Sequence, residues 1–147
     1  IITTEAACEH KTNVESLFQT IYQISPSENW WQWKYGNDLI KGTISLTESG
    51  EPIAFYGNIC RTAVFENQRF WTSQIADVMI HPDYRHSTKE KGAFFNTSRH
   101  FLDQFVGDDK TFKLSFGFPH HRALKLGVIL KLYQALFTIF ILTMLFM

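Results

Sequence analysis

The chain has 147 residues, 45% of them hydrophobic, which suffices for one domain with its own core and falls short of two. Charged residues make up 19%, which excludes a disordered composition, and Lys+Arg and Asp+Glu balance at 14 each. A chain with no net charge is a poor candidate for a general nucleic-acid binder, a local basic patch being the alternative, and its 14 Phe predict a phenylalanine-rich core.

Cys8 and Cys60 share no C-x-x-C or zinc spacing, so two unpaired thiols and a cytoplasmic location are expected. The opening residues show no basic segment leading into an apolar one, so no signal peptide is expected. The one glycosylation sequon, Asn96-Thr97-Ser98, falls inside a predicted helix and is read as accidental.

Val14, Leu17, Phe18, Ile21 and Ile24 form one stripe at helical spacing, predicting a helix over 13–24. Thr12 and Glu15 are spaced as a capping box at its start. A short helix over 28–35 carries Trp30, Trp31 and Trp33 and stops at Gly36-Asn37-Asp38. The texture then turns to strands: 43–47, a hairpin turn at 48–51, and 53–64 with a bend or bulge at Gly57. After a turn at 66–68 a long strand over 69–81 ends in the apolar run Val78-Met79-Ile80 and is stopped by Pro82.

Residues 83–91 are polar and aperiodic, hence a loop. Helical spacing returns over 92–106, with Phe94, Phe101 and Phe105 in line and Phe95, Leu102 and Val106 beside them. Phe112, Leu114 and Phe116 alternate with Lys113 and Ser115 as a half-buried strand, and a last helix covers 121–130. Helices followed by strands, then helix, strand and helix, describe a mixed α/β domain over 1–134.

The tail 135–147 holds eleven apolar residues, two threonines and no charge. Counted from Leu132, the 16 apolar-rich residues would make a helix of about 24 Å, short of the ~30 Å hydrocarbon core, so no membrane span is expected. The tail is read as part of the core or, if left bare, as an interface through which a homodimer could form.

The stretch that carries chemistry runs strand, proline, polar loop, glycine, helix: Asp77-Val78-Met79-Ile80-His81-Pro82-Asp83-Tyr84-Arg85, then 86–91, then Gly92-Ala93. A strand handing over to a helix through a loop points unpaired N–H groups at the gap, and the helix dipole makes that gap an anion site. Arg85, Lys89 and Lys91 add positive charge; Ser87 and Thr88 add hydroxyls. A pyrophosphate suits this place; a solvated loop with outward charges is the plain alternative.

These residues resemble the acyl-CoA signature of the GNAT N-acetyltransferase superfamily, in which an apolar-x-Pro step leads to R/Q-x-x-G-x-G/A at the mouth of a helix. Trp31-Gln32-Trp33-Lys34-Tyr35 is similar to the W-x-W-x-Y of one branch, and Gly117-Phe118-Pro119, followed by the 122–127 stretch, to its G-F-P-N segment. Together they cover about residues 5–133. The resemblance implies a central, mostly antiparallel sheet flanked by helices, and transfer of an acetyl group from acetyl-CoA to an amine by direct attack. It implies CoA contacts at Val78, Met79, Ile80, Arg85, His86, Ser87, Thr88, Lys89, Lys91, Gly92 and Ala93. The acceptor amine is unknown.

The chain departs from that pattern in several places. Thr88 and Glu90 stand where glycine or alanine is usual, so either the loop is remodelled or CoA binding is impaired. His120 replaces an asparagine, and Gly127 lies near the usual general-acid tyrosine. Lys131 replaces a glycine, and the apolar tail stands where a final strand pair would follow, as in a truncated relative. Asp77 is the candidate base or an ordinary strand-end carboxylate; His81 is a candidate proton relay or a strand-end cap. Tyr133 is the candidate acid or a core ring, and the tryptophans line an acceptor pocket or pack the core. No metal is expected, since adjacent His120 and His121 cannot both turn to one ion without further ligands. The alternatives are a catalytically silent relative that binds CoA or a partner, and an interaction protein working through its tail.

Overall fold

A computed structural model describes residues 1–36, 40–85 and 92–135. In chain order the elements are β1 (Ile2–Glu5), α1 (Lys11–Tyr22), α2 (Glu28–Tyr35), β2 (Gly42–Leu46), β3 (Pro52–Phe65) and β4 (Gln68–Ile80). They continue with α3 (Ala93–Phe105), β5 (Leu114–Gly117) and α4 (His121–Ile129). The strands form one sheet in the order β1-β2-β3-β4-β5, antiparallel throughout except for the β4–β5 pair. The fold is therefore the mixed α/β architecture expected, with a mostly antiparallel sheet between helices.

Helix α1 starts before the expected capping box. A 3₁₀ turn, Cys8–His10, runs straight into Lys11, so Thr12 sits inside the first turn and cannot cap it. Gln23, left-handed at φ 57°, ends the helix, leaving Ile24 beyond the stripe and 58% exposed. Helix α2 keeps its predicted bounds, because Ser27 Oγ accepts from the Trp30 amide at 3.2 Å and caps it.

Strand β1 is an addition to the sequence reading. Its four residues are too short to show a pattern and are ordered by pairing with β2, Thr3 Oγ1 meeting Ser45 Oγ at 2.8 Å. The β3–β4 hairpin turns on Glu66 and Asn67, at φ 49° and 63°, the two left-handed residues a type I′ turn requires.

The two faces of the sheet are covered differently. One face packs Ile44, Phe55 and Met79 against Val14, Leu17 and Phe18 of α1 and Trp31 and Tyr35 of α2. The other receives α3, where Phe101 meets Tyr56 and Phe112. There a buried hydroxyl seam replaces bulk: Thr43 Oγ1 donates to the Thr97 carbonyl at 2.8 Å, and Ser45 Oγ lies 2.6 Å from Thr97 Oγ1.

Strand β5 is less buried than its alternation predicts. Phe112, at the junction with α3, is 1% exposed, but Leu114 and Phe116 are 44% and 37% exposed. An edge strand has one neighbour, and among the described residues no helix covers these side chains. Helix α4 closes in a Schellman motif: Lys131 N–H donates to the Val128 carbonyl at 3.0 Å and Leu132 N–H to the Gly127 carbonyl at 2.8 Å. The expected apolar tail lies, apart from Ala135, outside the described residues.

Candidate active site at the bulged edge of β4

Strand β4 is paired on both sides only over part of its length. Thr72 to Ile75 face Leu114 to Gly117 of β5, while β3 follows β4 almost to its end. Between these stretches the register slips: Phe55 faces Met79, but Gly57 faces Ala76. Asp77 and Val78 thus stand opposite Tyr56 alone, a bulge, and Asp77 takes φ +51°. The sequence reading placed the irregularity at Gly57; the extra residue belongs to the facing strand.

Beyond the bulge β4 has an open side. His81 N–H donates to the Ile53 carbonyl of β3 at 2.8 Å, so by strand alternation Ile80 and, two residues earlier, Val78 turn their amides away from β3. No strand pairs with that side of Val78–Ile80 among the described residues. The Ile80 carbonyl on this edge already accepts from Arg85 Nε at 2.8 Å. Arg85, expected at a phosphate, thus commits Nε to the strand and leaves an edge that offers donors.

Downstream, α3 begins at Ala93 with Gly92 as N-cap, a residue with no side chain to bond the first amides. Ala93 clusters with Ile53, Ala54 and Ile80 at the end of β4, so the start of α3 lies beside that strand end, and free amides with the helix dipole suit an anion. Of the loop residues expected to join them, His86, Ser87, Thr88, Lys89 and Lys91 lie outside the described residues.

Asp77 turns toward α2. Its Oδ2 accepts from the Tyr35 hydroxyl at 2.5 Å and pairs with Lys34 Nζ at 2.5 Å. Lys34 in turn lies 4.8 Å from the centre of the Trp30 ring. Tyr22, at the end of α1, feels the same group: burial and then the Asp77 carboxylate push its phenol above the usual value, and the Arg85 guanidinium pulls it back.

The other candidates do not gather around Asp77. His81 takes the Asp83 amide on Nδ1 at 3.4 Å, and with Asp83 and Tyr84 it borders a polar cleft of about 250 Å³ beneath Ser16, Thr20 and Glu51. Tyr133 lies on the α3 face, its hydroxyl 3.1 Å from that of Tyr56. Its ring fills the space a side chain at 127 would need, since a Cβ on Gly127 would stand 2.0 Å from Tyr133 Cδ2. The lack of a side chain at Gly127 is thus what admits Tyr133. Burial raises both phenols above their ordinary range, Tyr56 well above; the bond from Tyr56 pulls Tyr133 the other way. Ser98 approaches the Tyr133 hydroxyl without completing a hydrogen bond.

Trp31 is core and Trp33 is 78% exposed, so the tryptophans do not act as one wall. His120 caps α4, accepting the Arg122 amide on Nδ1 at 3.2 Å. Among the described residues no three His, Cys, Asp or Glu side chains are grouped to hold a metal ion. Sequence reasoning named Lys34 and Tyr35 only as part of the W-x-W-x-Y resemblance and Gly57 only as a bend in its strand, gave none of them a role at Asp77, and passed over Tyr56.

No family model matches the chain, and no curated protein does. Solved structures do match over nearly its whole length. A putative acetyltransferase from Agrobacterium tumefaciens is 14% identical, with TM-score 0.68, over 97% of this chain and all of its own. Glucosamine-6-phosphate N-acetyltransferase from Arabidopsis thaliana is 12% identical, with TM-score 0.66, over 97% of each chain. The aminoglycoside N-acetyltransferase AAC(6')-Iy, solved with CoA, is 11% identical, with TM-score 0.60, over 98% of this chain and 100% of its own. At such identities the likeness is one of architecture: this chain has the fold of the GNAT N-acetyltransferases.

Proposed function

We propose that the chain is an acyl-CoA-dependent N-acetyltransferase, of the W-x-W-x-Y branch, that moves the acetyl group of acetyl-CoA to an amine. The observation that carries this reading is the donor edge of β4 at Val78–Ile80, opened by a bulge and lying before the uncapped start of α3. A pantetheine amide chain can pair with such an edge as a strand would, and the pyrophosphate can take the α3 amides with Gly92 and Ala93.

The chemistry sets its own demands. An alkyl amine of pKa about 10.4 is mostly protonated at pH 7, and freeing its lone pair costs about 4.6 kcal/mol. Its proton passes to Asp77 or to water. The nitrogen lone pair then attacks the thioester carbon, forming the C–N bond, and the carbonyl oxygen gains charge within reach of the β4 amides. The carbonyl re-forms as the C–S bond breaks with its electron pair on sulfur; Tyr133 protonates the thiolate, and its phenolate takes the remaining extra proton from the acylated nitrogen, directly or through water. His81 serves as relay at the end of the strand.

Calorimetry with acetyl-CoA tests the donor site, and thiol release over a panel of amines tests the transfer. Heat of binding followed by CoA release with at least one amine is the expected result. No heat at millimolar acetyl-CoA overturns the reading, and binding with no release from any amine reduces it to a silent relative. No described helix is long and apolar enough to cross a membrane.

A further inference from the structure

We infer that Lys34 and Tyr35 are positioning residues: through their grip on Asp77, helix α2 holds the β4 bulge in place and thereby sets the donor edge. This rests on the acyl-donor reading above and adds the part of the molecule that maintains the site.

Asp77 is under backbone strain. A non-glycine residue at φ +51° inside a strand is disfavoured by about 1 kcal/mol or more and persists where its surroundings over-determine it. Here the determinants come from a distant element. Tyr35 is fully buried, and its hydroxyl reaches Asp77 Oδ2 at 2.5 Å. Lys34 reaches the same oxygen, with side-chain exposures of only 15% for the lysine and 18% for the aspartate. Taking away one partner of such a sheltered pair leaves the other charge uncompensated.

Gly57 makes the grip geometrically feasible. A Cβ there would stand 2.8 Å from the Tyr35 hydroxyl and 2.4 Å from the Ala76 carbonyl oxygen. The missing side chain on β3 is the notch through which α2 reaches across to β4. The bulge also decides which amides beyond it look outward, because a one-residue slip inverts the sides of a strand. Loss of the grip therefore moves the amides of Val78 and Ile80 off the donor.

Calorimetric titration with acetyl-CoA tests this, with folding of each variant checked by circular dichroism. Absence of heat with the unaltered protein defeats the donor reading itself, separately from the inference. Given binding, Lys34→Met is expected to weaken Kd about tenfold, and Tyr35→Phe by a similar factor. If Lys34→Met does not fold, the more conservative Tyr35→Phe carries the same expectation. The decisive arm is rescue. Glycine takes φ +51° without strain, so Asp77→Gly added to Lys34→Met or to Tyr35→Phe should restore Kd to within about twofold of the unaltered protein. The Tyr35→Phe background decides, since no partner charge is removed there and a purely structural role for α2 predicts no such rescue. Unchanged Kd in the single variants, or failure of the glycine to restore it, overturns the inference.

Discussion

Strand β4 is one element with two characters. From Thr72 to Ile75 it is paired with β3 on one side and β5 on the other; beyond the bulge, at Met79 and Ile80, it is paired among the described residues with β3 alone. The first stretch spends its hydrogen bonds on the sheet and holds β5 in place. The second keeps donors unspent, and a single extra residue, Asp77, separates the two. A sheet thus gains a binding edge from the interruption of its own ladder, and the interruption has to be held open from elsewhere.

The sharpest way to break the contrast is to attack the doubly paired half. Phe112 is 1% exposed, and its ring faces that of Phe101 at 6.2 Å where α3 hands over to β5. Phe112→Ala should cost about 3–5 kcal/mol, read as a lower urea midpoint. Gly57→Ala strikes the bulged half instead. Its Cβ meets backbone at Ala76 as well as the Tyr35 hydroxyl, so a loss of about 1–3 kcal/mol is expected, together with weaker acetyl-CoA binding by calorimetry.

A third prediction concerns the phenol pair beside Val78. Tyr56 and Tyr133 are both raised above the ordinary 10.0, first by burial. Below that value both states hold the protons and pH has no effect through them. Above it the unfolded chain ionises first, so stability falls with a slope approaching about 1.4 kcal/mol per pH unit for each tyrosine. Urea titrations between pH 8 and 11 should show this fall, and Tyr56→Phe should flatten it.

The smallest effect is expected at the turn that closes α4. Lys131 holds φ 56°, the left-handed position a Schellman motif reserves for glycine. Lys131→Gly should stabilise the protein by roughly 0.5–1 kcal/mol, the relief of strain less the added freedom of the unfolded chain. A rise in melting temperature with unchanged acetyl-CoA binding is the expected reading.

Much of the scaffold was legible because it rests on local rules. The α1 stripe, the short tryptophan helix over 28–35, the turn at Glu66-Asn67 and the Phe94–Phe101–Phe105 line each depend on residues a few positions apart. Where the reading missed, a distant partner decided. Strand β1 exists through β2, the bare side chains of β5 follow from its place at the sheet edge, and the helix start at Lys11 follows from the turn before it.

The candidate site divides in the same way. The strand–proline–loop–glycine–helix order around Pro82 and Gly92 stands in the sequence by itself, as does the chemistry of its side chains. That Tyr35, Gly57 and Asp77 meet at one point, and that Tyr133 enters the gap at Gly127, came only with the tertiary structure. The physical reason is range. Periodicity and turn chemistry act over a few residues, whereas a bulge gripped by a helix some forty positions earlier depends on how the whole chain closes on itself.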